Sequence, residues 1–299
     1  MPARDYIQRL ANDRYDGEIR NAIEVALEAI ASEVTLESIA SAIESGNEEA
    51  VVRLITDQIP DAFDRVRSAE LAAMGAAGVA TMETVPAAER GGQRIAIQFN
   101  RGNERAVRAV ENIHTEMIRE VSEETRGTIR DELRASLRDG ENPRQAGRRI
   151  RGKWNPRTKR HEGGVLGLTR HQADITRRAR ERLLSGDPDE MRKYLGMKLR
   201  DKRFDRTVIK AIEEGAAIPK AKAENMATAY RRKSVQRRAE TIARDQSLAA
   251  LDEGQDEAFN QARDQGAIRE EDVVEEWVTS RDARVRDVHQ AVPTMNRGG

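Results

Sequence analysis

Asn103-Glu-Arg-Ala-Val107-Arg-Ala-Val110-Glu-Asn-Ile113-His-Thr-Glu-Met117-Ile-Arg-Glu-Val121-Ser-Glu-Glu-Thr125-Arg-Gly-Thr-Ile129-Arg-Asp-Glu-Leu133-Arg-Ala-Ser-Leu137-Arg138 carries the longest helical pattern in the chain. Its apolar line runs Val107, Val110, Ile113, Met117, Val121, Thr125, Ile129, Leu133 and Leu137, three or four residues apart. That is close to a heptad stripe and predicts a coiled-coil-like seam. Asn103 can cap the helix and Asp139-Gly140 ends it. At 1.5 Å per residue it would be on the order of 50 Å long. His114 lies at the edge of the stripe and reads as a seam histidine, not as a ligand.

Before this helix, Ile19, Ile23, Ala26, Leu27, Ile30 and Val34 repeat at helical spacing. Thr35 opens a second helix, Ser45-Gly-Asn47 breaks the run, and Glu48–Ile59 forms a third. Pro60-Asp61 starts another. Residues 69–92 are crowded with Ala, Gly, Thr and Met, and glycine costs helix stability. They read as a frayed helix or loop ending in the turn Glu89-Arg-Gly-Gly92. Ile95, Ile97 and Phe99 alternate with polar residues, a short strand signal. A hinge is expected within 84–103.

After the long helix, Asn142-Pro143 starts a short basic one. Residues 152–166 read as a mobile basic loop. Thr169 caps a helix to about Leu184, Asp187-Pro188 opens another to Leu195, and Phe204–Glu214 gives a third. Pro219 begins a run that ends near Gln265. Within it Val235, Ala239, Ala243, Ala250, Gly254, Ala258 and Ala262 place small residues on one line, with Leu248, Leu251 and Phe259 beside it. That pattern predicts a helix packed closely on one side, and Gly254 reads as a packing contact. Gly266 ends it, Val273–Ser280 reads as a strand and Arg284–Ala291 as a last short helix. The fold class expected is mainly α, with long amphipathic helices and a small α+β C-terminal domain.

Composition agrees with that class. Of 299 residues, 38% are hydrophobic, 3% aromatic and 35% charged, a poor stock for one large globular core but suited to long helices packed along seams. The absence of cysteine excludes disulfides, thiolate chemistry and Cys-based zinc sites. Four scattered histidines (114, 161, 171, 289) offer no ligand spacing, so no metal and no cofactor is expected. The start Met-Pro-Ala-Arg-Asp lacks an apolar signal region, and no window approaches eighteen apolar residues. Neither secretion by a signal peptide nor a membrane span is expected.

The net charge of zero hides segregation: −7 over residues 1–60, −3 over 61–124, +16 over 125–240 and −6 over 241–299. Such a dipolar chain speaks about partners. The acidic helices suit a solvated face or a basic protein surface. The basic middle suits phosphates, which arginine forks bind two oxygens at a time. Candidate DNA contacts are Arg148, Arg149, Arg151, Lys153, Arg157, Lys159, Arg160, Arg177, Arg178, Arg231, Arg232 and Lys233. With little aromatic interleaving, stacking on single strands is not expected. Binding to double-stranded DNA would be non-specific and salt-sensitive.

The most motif-like stretch lies near the C-terminus. Trp277-Val-Thr279-Ser-Arg-Asp282-Ala-Arg284-Val-Arg286-Asp-Val-His289 gathers an apolar anchor, a hydroxyl-rich turn and an Asp/Arg/Arg/His cluster. Asp282 can accept two N–H bonds from an arginine fork. Upstream lies a basic helix carrying Arg238, Glu240 and Arg244, separated from Trp277 by about thirty residues of helix and loop. A helix of that kind, followed by W-x-T-x-x-D-x-R-x-R-x-x-H, resembles the phage head morphogenesis family, the phage Mu protein F-like minor capsid proteins. Leu137–Ile150 and Gly167–Ala173 agree with that family's arrangement. The resemblance spans roughly residues 95–292. Asp245-Gln246 departs from the family's usual Thr-Glu. The family commonly continues past the His into further strands, so the expectation is either a truncated C-terminal domain or a remainder absent from this chain.

The expected organisation is an acidic helical N-terminal arm (1–95), a basic helical middle (96–236) and a C-terminal Mu F-like segment (237–299). The resemblance implies a structural, non-enzymatic minor head protein, made in the host cytoplasm and assembled inside the virion at the portal vertex. It would be present in few copies and act in head morphogenesis, DNA packaging or delivery. Its partners would be the portal protein, a major capsid or scaffold protein, and DNA. Two alternatives stand beside this. In a nuclease-like C-terminal domain, His289 would act as general acid or base and Arg284 or Arg286 would stabilise an oxyanion, enough for metal-free RNA cleavage. The other is a non-specific DNA-binding or scaffolding protein.

Overall fold

A computed structural model describes residues 15–85, 88–90, 93–95 and 97–269. In chain order its helices are α1 (Asp16–Ala29), α2 (Leu36–Glu44), α3 (Glu48–Thr56), α4 (Ile59–Ala62), α5 (Asp64–Met82), α6 (Glu104–Arg138), α7 (Pro143–Arg151), α8 (Arg170–Leu184), α9 (Pro188–Leu195), α10 (Asp205–Glu213) and α11 (Lys220–Asp264). Two antiparallel hairpins, β1–β2 (Ala88–Arg90, Gln93–Ile95) and β3–β4 (Lys153–Asn155, Arg160–Glu162), are the strands among the described residues. The fold is mainly α, built on long helices. The expected strand Val273–Ser280, the helix Arg284–Ala291 and the small C-terminal domain lie outside the described residues.

Local chemistry sets most boundaries. Side chains of Thr35, Asn47 and Asn103 accept from Ser38, Ala50 and Arg105 backbone N–H groups at the starts of α2, α3 and α6. Asn142 with Gln145, and Thr169 with Gln172, close reciprocal capping boxes at the starts of α7 and α8. α6 runs 35 residues and α11 runs 45, which at 1.5 Å per residue is about 52 and 68 Å.

The stripe on α6 sits slightly off the expected line. Val110, Met117, Val121, Thr125, Ile129 and Leu133 are buried, but Leu137 is 75% exposed and Val107 and Ile113 are only half-buried. A straight helix of 3.6 residues per turn drifts from a heptad, and it brings Ala106, His114 and Thr128 into the contact instead. His114 is a seam residue: its Nδ1 lies 2.9 Å from Glu70 Oε2 on α5, with both side chains buried.

Residues 64–82 form a regular helix, not the frayed segment or loop their glycines suggested. The reason is tertiary. The small residues of α5 meet the small-residue line of α11, where Val235, Ala239, Ala243, Ala250, Gly254, Ala258 and Ala262 are all buried. A Cβ at Gly254 would fall 2.2 Å from the Met74 carbonyl oxygen and 3.0 Å from Ala77 Cβ. A Cβ at Gly78 would fall 2.2 Å from the Phe99 ring. Of the larger line on α11, Leu251 is buried while Leu248 is 46% exposed.

The expected strand through Ile95, Ile97 and Phe99 ends at Ile95; Ile97 and Phe99 instead pack against α5 and α11. Nor is this region a hinge where it is described. Asn100 N–H donates to Gln261 Oε1 at 2.7 Å and its carbonyl accepts from Gln261 Nε2 at 3.0 Å. Beside it, buried Glu257 accepts from Arg105 Nε at 2.6 Å.

One apolar core joins α1–α6 to Ile150, Leu166, Leu168 and the stretch Val235–Leu251 of α11. A second gathers Ala179, Leu183, Met191, Tyr194, Val208, Ile218, Met226 and Tyr230 from α8–α11. The first core crosses the sequence boundaries at 95 and 236. Ile19, Ile23, Leu27 and Ile30 at 0% exposure are part of it, so the N-terminal acidic helices are core elements and not an appended arm.

Gly254→Ala should therefore destabilise the protein by about 1–3 kcal/mol, because a backbone carbonyl cannot yield as a flexible side chain can. Gly17→Ala, in α1 with open space around it, should be neutral or stabilising by up to about 1 kcal/mol. Urea denaturation of the two variants checks the pair; equal effects would mean that α5 and α11 do not touch at Gly254.

Candidate nucleic-acid interface

The basic middle is positioned by α7, the β3–β4 hairpin, α8 and one face of α11. α7 ends at Gly152, whose φ of 86° turns the chain into β3. Lys153, Trp154 and Asn155 pair with Glu162, His161 and Arg160. Residues 152–166, expected as a mobile loop, thus contain a hydrogen-bonded hairpin. Asn155 Oδ1 accepts from Arg157 N–H at 3.0 Å and Thr158 N–H at 3.4 Å, and Lys159 closes the turn at φ 51°.

Most cations of this region are already engaged by carboxylates or carbonyls. Arg149 bonds Glu132, Asp139 at 2.7 Å and Glu141 at 3.3 Å. Arg177 and Arg178 share Asp174 at 2.5 and 2.6 Å. Arg151 Nε donates to the Ala31 carbonyl at 2.9 Å, and Lys233 donates to the Arg200 carbonyl at 3.0 Å. Arg160 meets Glu28 at 3.2 Å. Arg231 is 5% exposed, and its fork is directed at the carbonyls of Gly164 and Leu166, the latter at 2.6 Å. That buried fork turns away from any phosphate outside. Arg232 is exposed near Glu28. Among the described residues, Arg148, Lys153, Arg157 and Lys159 are exposed and have no ion-pair partner.

Many of the carboxylates come from the acidic N-terminal helices. Glu37 holds Arg144 at 2.9 Å, Glu48 holds Arg130 at 3.2 Å, and Glu49 holds Arg130 at 2.8 Å and Arg126 at 3.3 Å. Glu24 accepts from Gln236 at 3.2 Å. Exposed pairs are screened by water and individually stabilise little. Collectively they turn the two oppositely charged segments toward each other. The H-bonded Arg130 lowers the Glu49 carboxyl below its ordinary range.

Between α6, α7, α8 and α11 lies a cleft of about 520 Å³ whose lining includes Arg148, Arg149, Arg177, Arg180 and Arg231. Glu132, Asp139, Glu141, Glu181 and Glu224 line the same cleft. The signs balance, so it holds no net attraction for a polyanion. Among the described residues no group of three or more His, Asp or Glu is placed to hold a metal ion.

Of the motif residues, the structure places the upstream three. Arg238 on α11 is 5% exposed and its Nη2 lies 3.4 Å from Glu124 Oε2 on α6. Glu240 pairs with Arg237 at 2.7 Å, and Arg244 is exposed. Trp277, Thr279, Asp282, Arg284, Arg286 and His289 lie outside the described residues. Sequence reasoning missed Trp154 and His161. The ring centroids of this pair are 5.2 Å apart across the hairpin, tilted by 55°. The signal was Asn155-Pro156 between two short runs, a turn that can close a hairpin. Burial, then the Arg151 and Arg231 cations, push His161 below its ordinary value of 6.5.

The chain matches no family model, no curated protein and no solved structure.

Two outcomes follow from this geometry. Arg231→Met strands two buried carbonyls and should cost about 1–3 kcal/mol of stability by denaturant melting. His161 has a folded pKa below its unfolded one, so the unfolded chain binds the extra proton. Its stabilisation is present above about pH 6.5 and is lost as pH falls below that value. The wild type should lose stability as pH falls below about 6.5, and His161→Phe should flatten that slope; parallel profiles would show that His161 does not titrate with folding.

Proposed function

We propose that the chain is a structural, non-enzymatic minor head protein of a tailed phage, seated at the portal vertex inside the head. It is made in the host cytoplasm and acts in head morphogenesis, DNA packaging or genome delivery. What supports this reading is the order of segments that resembles the Mu F-like family, joined to one observation in the fold. Arg238, the first residue of the upstream motif segment and interior to α11, is buried against Glu124 of α6. That arginine fastens two long helices together, a structural use of a family position. A rod-like frame of 35- and 45-residue helices suits bridging between larger assemblies. The portal protein, with the capsid or scaffold protein around it, would be the surface it bridges.

The acidic N-terminal segment is not left free as a whole to dock on the portal. Glu28, Glu37, Glu48 and Glu49 are turned to arginines of the same chain, and removing residues 1–60 would open the core. Mass spectrometry of purified heads checks the assignment: the chain should appear at a few copies per particle and persist in heads lacking DNA. Its absence from procapsids and virions overturns the reading. RNA cleavage by the full chain that is abolished in His289→Ala would put the nuclease-like reading in its place.

A further inference from the structure

We propose that the β3–β4 hairpin is a binding site for single-stranded nucleic acid, with Trp154 as the stacking platform and Lys153, Arg157 and Lys159 as phosphate contacts. The inference stands independently of the head-protein reading, since it uses only the hairpin.

Trp154 is 47% exposed in a chain with only two tryptophans. It is fixed at a strand position opposite His161, whose buried ring supports the indole from one side. An exposed indole costs hydrophobic free energy unless something covers it, and a ring held on a paired strand loses little further freedom on binding. On the same hairpin Lys153, Arg157 and Lys159 are exposed and, among the described residues, without ion-pair partners, whereas most candidate cations elsewhere in the basic middle have a carboxylate or carbonyl partner. Of the two acids beside the hairpin, Glu28 is paired with Arg160 at 3.2 Å, while Glu162 accepts from the neutral Thr158 Oγ1 at 2.9 Å and keeps its charge, so four cations face two acids. The hairpin therefore offers a local positive excess although the chain's net charge is zero.

The chemistry of the tip selects the occupant. Single-stranded nucleic acid combines phosphates with unstacked base faces, and base–aromatic stacking is tolerant of sequence. In a duplex the base faces are already covered, and reaching them means unstacking a step. A membrane would need more apolar surface than one ring flanked by Asn155, Pro156 and Thr158 supplies. An acidic peptide would use the cations and leave the indole face idle. Expecting no stacking from a low aromatic content overlooked where this one ring is placed.

The test is fluorescence anisotropy of labelled oligo(dT) titrated with the full chain, with duplex DNA, poly-glutamate and phosphatidylserine vesicles as competitors. The expected result is preference for the single strand and about a tenfold loss in Trp154→Ala, from a stacking contribution of roughly 5- to 150-fold. Trp154→Phe should retain most of the binding. Replacing Lys153, Arg157 and Lys159 with Gln should reduce the magnitude of the log–log salt slope by roughly 2, at about 0.7 per phosphate. Photocrosslinking of iodouracil-substituted single strand to the wild type should label the peptide 153–162, a readout that does not depend on how the variants fold. Crosslinks elsewhere, wild-type affinity in Trp154→Ala, equal or stronger competition by duplex, poly-glutamate or vesicles, or no binding at all would each overturn the proposal.

Discussion

The contact between α5 and α11 is the constraint on which the rest of the molecule depends. Gly254 brings the α11 backbone against the Met74 carbonyl at a distance that excludes a Cβ. Close helix approach gains dispersion along a seam that has few large side chains to contribute. In a chain that is 3% aromatic, small residues are how two helices reach close-packed density. Once α5 is fixed on α11, α1 joins the same core as Val235–Leu251 through Ile19, Ile23 and Leu27, and α6 adds Met117, Val121 and Ile129. α11 then extends into the second core through Met226 and Tyr230, so one helix registers both.

Polar groups finish what the seam begins. Glu257 is buried on the same helix and must be compensated, and Arg105 and Gln261 both donate to it. Gln261 also satisfies both backbone groups of Asn100, which brings the segment before α6 back onto α11. Arg231 makes the corresponding connection at the other end, through the carbonyls of Gly164 and Leu166. Leaving any of these buried groups unpaired would cost more than each bond contributes. They set the register of the long helices.

Charge segregation along the sequence becomes, in the fold, a device for closing the chain on itself. Acids of α1–α3 face arginines of α6, α7 and the hairpin. The apparent reservoir of positive charge for a genome is thereby mostly used internally. What remains outward includes the Trp154 hairpin and Arg148, with Arg134 and Arg138 at the end of α6, Lys202, and Lys220 and Lys222 at the start of α11 exposed as well. The Trp154 hairpin differs from those other exposed cations in carrying an aromatic ring beside its charges.

Sequence alone determined the elements. Caps at Thr35, Asn103, Asn142 and Thr169 and the small-residue line from Val235 to Ala262 are local or periodic signals, and α6 and α8 follow them nearly to the residue. It also supplied the upstream part of the candidate motif, with Arg238 at a position that packing then buried. What it could not decide were the outcomes set by partners far along the chain. The glycines of α5 argued against a helix until Arg101 and Phe99 covered them and the small residues beside them met α11. The basic residues 152–166 read as a loop because a hairpin of three-residue strands carries almost no periodicity. Whether an arginine meets a phosphate or a neighbouring glutamate depends on which carboxylate folds beside it, as Glu28 does for Arg160 and Glu37 for Arg144. Ion pairs of that kind join residues a hundred or more positions apart, and only the tertiary structure brings them within reach.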